Sequence, residues 1–242
     1  GPGLTARDPS YSRTELGGCL RGASSSPNPC FVQHERSCYS APVTKGDHTR
    51  TLILEAGMNV AGVEGLEALS IGRLADRVGM SKSGLFAHFR SKEGLQLAVL
   101  AYTRDHFIQH VVVPAMSAPR GEPRLRALLD RWLAWGAPDA DSSREGGCVF
   151  LQAAAEFDDR PGSVREAVAA SQRDWIAALT RTTSIAIEEG HLRADLDPAQ
   201  FAFEMHGVIL SFHFQCRLLD EPEALPRTRA AFERLLASAR PA

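Results

Sequence analysis

The segment from Leu69 to Leu95 constrains the fold of this chain more than any other stretch of its 242 residues. It contains four apolar residues at the i, i+3, i+4 and i+7 spacing of one helix face: Ile71, Leu74, Ala75 and Val78. Gly79 follows this face and is suited to end a helix, because glycine adopts a positive φ without strain. Ser81 can then cap a second helix. The segment therefore predicts two short helices joined by a tight turn, which is the layout of a helix-turn-helix.

Serines precede both short helices and the helix that follows them. Ser70 stands before the first, and Ser91 stands before a helix that continues past Leu95. At these positions a hydroxyl can accept a hydrogen bond from a free backbone amide of the first turn. A further helix is predicted to start near Asp47 and to pack on the pair. We therefore expect a three-helix helix-turn-helix domain over residues 45–92.

The polar residues at the start of the second helix are of the types that bind DNA. Lysine and serine side chains contact base edges or phosphates, and glycine lets the backbone approach closely. Polar residues further along are suited to phosphate contacts, which set the position of a protein on DNA rather than its sequence preference. The residues predicted to bind DNA are Ser70, Arg73, Ser81, Lys82, Ser83, Gly84, Phe86, His88 and Lys92.

The charge of this region differs from that of the whole chain, whose formal net charge is −2. From Ile71 to Lys92 the one acidic residue is Asp76, which leaves a net charge of +4. The five basic residues of this window are Arg73, Arg77, Lys82, Arg90 and Lys92. A basic patch on a mildly acidic protein favours local DNA binding over general binding of polyanions.

The segment closely resembles the DNA-binding domain of the TetR/AcrR family of transcriptional regulators. The resemblance covers roughly residues 47–95. Phe86 stands where tyrosine is more common in the family, which removes a hydroxyl that often bonds phosphate. The residues that match the family pattern are Leu69-Ser70, Leu74-Ala75, Gly79-Met80-Ser81, Leu85-Phe86, His88-Phe89, Lys92 and Leu95. The resemblance implies a regulator that binds double-stranded DNA.

The chain is long enough for this domain and a second domain with its own core. No apolar run approaches the ~18–20 residues that span a bilayer, and no secretory leader is apparent. The five cysteines are scattered without a CxxC pair, as expected for reduced thiols. We therefore expect a cytoplasmic protein without a membrane partner.

Residues 1–44 differ from the rest in being rich in Gly, Pro and Ser without periodicity, and we expect a disordered extension there. Cys19, Cys30 and Cys38 lie in this stretch, but their spacing does not match a zinc site. The pairs His106/His110 and His213/Cys216 have helical spacing but no evident carboxylate to complete a metal site. We therefore predict no bound metal.

Residues 93–242 show helical periodicity without a convincing strand pattern. A helix from about Ser91 is predicted to stop before Pro114, and a polar loop is predicted over residues 139–147. Later helices are predicted over about 163–189, from Asp197 to about Leu219, and after Pro226. The predicted fold is all-α, with the N-terminal helix-turn-helix domain followed by a helical ligand-binding and dimerisation domain over residues 93–242.

The helix from Pro198 to Leu219 is apolar on more than one face, since Phe203, Leu210 and Phe214 lie outside its main stripe. Such a helix is either deeply buried or covered by a partner. The family resemblance implies that the last two helices pair with those of a second subunit. The residues predicted at this homodimer interface are Phe201, Met205, Val208, Phe212, Ala231 and Leu235. Burial of both helices within one subunit is the alternative.

The resemblance also implies a cavity for a small-molecule effector in the second domain. Aromatic walls with a few polar groups suit such a cavity, although they equally suit a core. The candidate ligand-binding residues are Trp132, Trp135, Cys148, Phe150, Gln152, Phe157, Trp175, His206 and His213.

No motif of the chain indicates catalysis. It lacks a P-loop, a dinucleotide fingerprint and a nucleophile elbow, so neither an enzyme activity nor a cofactor is predicted. The function expected from the resemblance is that of a homodimeric repressor, released from a pseudo-palindromic operator by an unidentified effector. The alternatives are a DNA-binding protein without a ligand response and an enzyme built on the same scaffold.

Overall fold

The computed structural model describes residues 45–137 and 145–241. The predicted N-terminal extension with its three cysteines, and the part of the predicted 139–147 loop before residue 145, lie outside the described residues. The described residues form helices and connecting turns without a strand, which confirms the all-α prediction.

The helices follow one another with short connections in the described ranges. α4 continues into a π-helical segment, Ile108–Val112, and then into α5. In chain order, the helices are α1 (Lys45–Glu64), α2 (Ile71–Val78), α3 (Lys82–Phe89), α4 (Lys92–Phe107), α5 (Val113–Met116), α6 (Glu122–Gly136), α7 (Val149–Phe157), α8 (Ser163–Glu188), α9 (Pro198–Arg217) and α10 (Ala224–Ala239).

The predicted end of the fourth helix before Pro114 is wrong, since helical backbone continues to Met116. In the π-helical segment the hydrogen bonds join residues five positions apart instead of four, and the Val113 N–H donates to the Ile108 carbonyl. Pro114 then occupies the first turn of α5, where a residue without an N–H is tolerated.

Helices α1, α2 and α3 form a small unit that we call the head. Its core contains fully buried leucines from different helices, such as Leu74 of α2 and Leu85 of α3. The head is joined to the remaining helices, which we call the body, through close packing of α1 on α4. A Cβ added to Gly57 would lie 2.7 Å from Val99 Cγ2, so a larger residue in α1 would displace the Val99 side chain at this crossing.

The body is a helical bundle in which α9 packs on both α8 and α10. Its core includes Leu179 of α8, Ile209 of α9 and Leu236 of α10, each fully buried. α4 contacts α8, so it connects the head to the centre of the bundle. Within the described ranges, no helix is both long and apolar enough to cross a membrane.

Helix α9 has two apolar faces, and the structure separates their roles. Phe201, Met205 and Phe212 are at most 2% exposed because the protomer's own helices already cover them. These residues were expected at a subunit interface, and they belong instead to the core of one subunit. Val208, Ala231 and Leu235 are half-buried. The opposite face of α9 is exposed, and the apolar residues on it and directly after the helix are Phe203 (72%), Leu210 (40%), Phe214 (55%) and Leu218 (66%).

Candidate DNA-binding surface and adjoining cavity

Helices α2 and α3 begin with the serine caps that the sequence predicts. The Ser70 hydroxyl accepts a hydrogen bond from the Arg73 N–H at 3.3 Å, and the Ser81 hydroxyl accepts one from the Gly84 N–H at 3.1 Å. Gly79 ends α2 with a φ of 67°, in the left-handed region. These local bonds fix the direction in which α3 leaves the turn.

One face of α3 is exposed. Lys82 and Ser83 are exposed in its first turn, and the ring of Phe86 is 53% exposed one turn later. His88 is half-buried beside Phe89, with 6.0 Å between ring centroids. The opposite face is anchored by buried Leu85. The structure therefore brings the predicted base-reading residues to one accessible surface.

The turn after α3 is tightly constrained. Arg90 adopts a φ of 64°, and its N–H donates to the Phe86 carbonyl at 2.7 Å. The Ser91 hydroxyl caps α4 by accepting from the Gly94 N–H at 2.9 Å. A Cβ on Gly94 would lie 2.3 Å from the Phe89 carbonyl oxygen, so no other residue fits there without a backbone shift. This turn places exposed Arg90 at the end of α3.

Two arginines near α3 were not predicted as site residues. Arg50 of α1 donates to the His88 carbonyl at 3.3 Å, and its guanidinium lies 4.9 Å from the centroid of the Phe89 ring. It thereby holds the end of α3 against α1. In the sequence, Arg90 contributes only to the predicted positive charge of the region. Arg50 lies 38 positions before His88, so no local pattern in the sequence indicates their contact. Arg90 directly follows α3, and this position could have indicated that it belongs to the DNA-binding surface.

Much of the positive charge predicted for this region is neutralised within the protein. Arg73 pairs with Glu64, and Arg77 pairs with Glu145 at 2.8 Å. The acidic partners lie outside the window from Ile71 to Lys92, so the net charge of +4 overstates the basic patch. Among the described residues, Lys82 has no acidic partner within ion-pair distance.

Lys92 is held by an ion pair with Glu67 at 2.7 Å. Arg160 lies 3.6 Å from the same carboxylate. The hydrogen bond from Lys92 holds the pKa of the Glu67 carboxyl below its ordinary value. The pair is exposed, so it directs the ammonium group more than it stabilises the fold.

The end of α1 and the segment after it are bound to the body by a group of hydrogen bonds that we call the junction. The Gly62 carbonyl accepts hydrogen bonds from the Gly147 N–H at 2.8 Å and from Gln152 Nε2 at 2.9 Å. Glu156 Oε2 accepts from the Glu67 N–H at 3.0 Å. Side chains of α7 therefore hold the segment that connects α1 to α2.

Most of the predicted ligand-binding residues are part of the core of the body. Phe107 of α4 contacts the rings of Trp135 and Trp175 edge-on, at centroid distances of 5.4 and 5.2 Å. His206 is half-buried, and burial lowers the pKa of its imidazole. The buried members of the predicted set are Trp132, Trp135, Cys148, Phe150, Phe157 and Trp175.

Gln152 and His213 of the predicted set line an open cavity of about 1030 Å³. The cavity lies at the junction, between the end of α1, α7 and α9. It combines a few polar groups with apolar walls. Its lining residues are Gly62, Val63, Gly146, Leu151, Gln152, Ala154, Ala155, Asp158, Leu210, His213, Phe214, Arg217 and Leu218.

The histidine pairs of the sequence do not form a metal site in the described part of the chain. The rings of His106 and His110 are tilted by 33° with their centroids 3.9 Å apart, and His110 Nδ1 lies 2.8 Å from the His106 carbonyl oxygen. No group of three or more His, Cys, Asp or Glu residues that could hold a metal ion occurs among the residues the structure describes.

Two family models match this chain. The model described as bacterial regulatory proteins, tetR family, matches residues 53–99. The model described as tetracyclin repressor-like, C-terminal domain, matches residues 121–232. The first match covers most of the helix-turn-helix region, and the second covers most of the body.

Individual proteins show the same similarity. The HTH-type transcriptional activator FasR of Mycolicibacterium smegmatis is 32% identical over 98 residues, which are 40% of this chain and 45% of that relative. The match therefore spans less than half the length of this curated relative. A TetR family regulator from Cytophaga hutchinsonii has a similar fold, with a TM-score of 0.71 and 22% identity over 83% of this chain and 98% of that one.

A third similar protein is AibR, whose structure contains isovaleryl coenzyme A and operator DNA. Its TM-score is 0.55, with 24% identity over 68% of this chain and 85% of AibR. At this level of identity, the likeness extends to the fold.

Proposed function

Since this chain belongs to the TetR family of transcriptional regulators, we propose that it is a homodimeric repressor whose operator affinity is controlled by a small-molecule effector. The observation that carries this proposal is the exposed face of α3, which presents Lys82, Ser83 and Phe86. The position of α3 is fixed by Ser81, which caps α3 itself, and by Ser91, which caps the following helix α4. A helix held in this way can enter the major groove of DNA without rearranging.

Within this proposal the residues of α3 divide by role. Lys82, Ser83 and Gly84 face base edges or the nearest sugar-phosphate groups, because they lie in the first turn of the helix that enters the groove. Phe86 and His88 lie further along α3 and contact the DNA backbone, together with Ser70 and Lys92. The ion pair with Glu67 directs Lys92 toward the phosphates before DNA arrives.

The second subunit is proposed to pack on the exposed face of α9. Four large apolar side chains of this face are at least 40% exposed, which is unfavourable for a monomer in water. A twofold axis at α9 and α10 would cover them with the same face of a second copy and would present two heads to successive major grooves. The operator of such a dimer is pseudo-palindromic.

The direction of regulation and the ligand response are parts of this proposal. The curated relative is named an activator, and AibR was solved with both an acyl coenzyme A and operator DNA. An effector acts if it binds one arrangement of the heads more tightly than the other. We further propose that the protein acts in the cytoplasm, without catalysing a reaction.

Selection of genomic DNA fragments by the purified protein tests the proposal. We expect enrichment of a pseudo-palindromic sequence that the protein binds as a dimer, and lower expression from a promoter that contains it. If the protein binds no duplex even at low ionic strength, the proposal is wrong. Increased expression from the same promoter would show an activator, and a response to no member of a broad metabolite panel would support the alternative without an effector.

A further inference from the structure

We propose that Arg90 forms a further phosphate site for DNA, at the carboxyl end of α3. The inference rests on the proposed function, in which α3 enters the major groove, and it adds a contact that the first turn of α3 does not supply. The ligand is a phosphodiester group of one DNA strand. Three features of this end of the helix lead to the proposal: its backbone conformation, its charge and its distance from Lys82.

Arg90 ends α3 in a backbone conformation that favours glycine. Its φ is 64° and its ψ is −27°, and its N–H donates to the Phe86 carbonyl. Helix α2 ends in a similar way with Gly79, at a φ of 67°. The Cβ of an L residue crowds the neighbouring backbone in this region, so arginine is less favourable there than glycine. Such strain is found most often at functional sites, which indicates a role for the Arg90 side chain.

The charge of Arg90 is not used within the described part of the protein. The side chain is exposed, and no carboxylate among residues 45–137 and 145–241 lies within ion-pair distance of it. Three of the other basic residues from Ile71 to Lys92 have acidic partners, and Lys82 does not. The guanidinium of Arg90 is therefore available to an anion from outside the protein.

Without its arginines, the carboxyl end of α3 would repel a phosphate. A helix carries a partial negative charge of about half an elementary charge at this end, where carbonyls lack N–H partners. Arg50 donates to one of these carbonyls, that of His88, at 3.3 Å. The guanidinium groups of Arg50 and Arg90 together outweigh the partial charge of the helix end. The local potential is therefore positive, which attracts a phosphate.

The two unpaired cations of the region lie at opposite ends of α3. Lys82 is the first residue of the helix, and Arg90 directly follows its last residue, Phe89. Eight steps with a rise of about 1.5 Å separate their backbones by about 12 Å along the axis. The major groove of B-DNA is also about 12 Å wide. A helix that lies across the groove with Lys82 near one wall can therefore bring Arg90 to the phosphates of the other.

The chemistry of Arg90 suits a phosphate. A planar guanidinium can donate two N–H groups to two oxygens of one phosphate. Arg90 needs to break no ion pair before it does so, whereas Lys92 is held by Glu67 at 2.7 Å. A contact of this kind adds affinity and salt dependence for every DNA sequence alike, because phosphates carry no sequence information.

Fluorescence anisotropy with the selected operator at several salt concentrations, combined with urea unfolding of the free protein, tests the proposal. Arg90→Gly removes the charge and relieves the backbone. We expect the slope of log affinity against log salt to fall by about one per subunit, and binding at about 0.15 M salt to weaken at least about fivefold. We expect the urea midpoint to stay the same or to rise, because glycine suits a φ of 64°.

Two further variants are controls. Arg90→Lys keeps the positive charge and should keep most of the salt slope. Arg173→Gln removes an exposed arginine of α8 that also has no ion pair among the described residues, and it should leave the slope unchanged. The proposal is wrong if Arg90→Gly leaves the slope unchanged, if Arg90→Lys lowers it as much as Arg90→Gly does, or if Arg173→Gln has an equal effect.

The wild-type protein separates this inference from the proposed function. A wild type that binds no duplex contradicts the proposed function itself. If the wild type binds the operator and Arg90→Gly has the same salt slope, only the contact at Arg90 is wrong. A lower urea midpoint together with an unchanged slope would assign Arg90 to the stability of the fold instead.

Discussion

Single side chains decide how the positive charge around α3 can be used. Three of the five basic residues from Ile71 to Lys92 have acidic partners, whereas Lys82 is exposed without one among the described residues. An unpaired lysine can approach a base edge freely. A lysine held by a carboxylate, as Lys92 is by Glu67, must exchange that partner for a phosphate or bind it with its remaining N–H groups.

The two lysines are therefore expected to differ when each is changed to alanine. Lys92→Ala should weaken binding to all DNA sequences alike and reduce the slope of log affinity against log salt by about one per subunit, because one phosphate contact is lost. Lys82→Ala should change the relative affinities of different sequences. Fluorescence anisotropy with the selected operator and its point variants, at several salt concentrations, measures both effects. An unchanged affinity and salt slope for Lys92→Ala would contradict this contact map.

The turn between α3 and α4 is expected to tolerate only glycine at position 94. The added methyl group of Gly94→Ala would lie 2.3 Å from a backbone oxygen, which cannot move without displacing α3. We expect a loss of about 1–3 kcal/mol in the free energy of unfolding, measured with urea. Gly72→Ala is the matched control, because its methyl would meet only the flexible end of Lys82 at 3.4 Å. Equal stability of the two variants would contradict the prediction.

Helices α6 and α10 are joined by a network of charged side chains at their ends. The Glu122 carboxylate accepts hydrogen bonds from Arg126 at 2.9 Å and from Arg240 at 2.6 and 3.0 Å. Arg126 also pairs with Glu233 of α10. The Glu122 side chain is only 15% exposed, so its bonds are screened less than those of the other ion pairs at the surface.

This network predicts a pH dependence of stability. Arg240, and then Arg126, hold the pKa of the Glu122 carboxyl below its ordinary value. A carboxyl with a lowered pKa in the folded state adds stability above its unfolded pKa, and this stability is lost as the pH falls through the folded pKa. Glu122→Gln should therefore lower the free energy of unfolding by about 1–2 kcal/mol at pH 7, and progressively less below about pH 4.3.

Glu166→Gln is the control for this experiment, because Glu166 is also in the first turn of its helix but is exposed. Both substitutions remove a carboxylate from the first turn of a helix, so both lose the same interaction with the helix dipole. Only Glu122→Gln also disrupts the charged network. Urea unfolding of both variants from pH 3 to pH 7 gives the comparison. A loss for Glu122→Gln that did not shrink toward low pH would assign it to packing rather than to charge.

For the whole molecule, the exposed face of α9 determines the proposed assembly. Phe203 is 72% exposed, so a change at this residue tests the proposed interface directly. Phe203→Glu places a charge where two apolar faces would meet and should convert the dimer to a monomer with weaker operator binding. Sedimentation velocity measures the change.

Leu52→Glu is the matched control, since Leu52 is 50% exposed on α1, away from α9. It should leave the oligomeric state unchanged. A wild-type protein that is monomeric at micromolar concentration, or a Phe203→Glu variant that remains dimeric, would show that α9 does not form the interface.

The helical class, the helix-turn-helix and its caps could all be predicted from the amino-acid sequence. These features depend on residues a few positions apart: the spacing of Ile71 and Leu74, the hydroxyls of Ser70 and Ser81, and the positive φ available to Gly79. The identification of two apolar faces on the helix after Pro198 was also possible, because helical periodicity is a local property.

The buried face of α9, the neutralised cations and the position of the cavity became visible in the folded structure. Phe201 and Phe203 are both aromatic, and only packing against α8 and α10 distinguishes the buried ring from the exposed one. Arg77 and its partner Glu145 are 68 residues apart in the sequence. Gln152 and its partner Gly62 are 90 residues apart. Local patterns carry no information about such pairs, because the folded backbone alone brings them within hydrogen-bond distance.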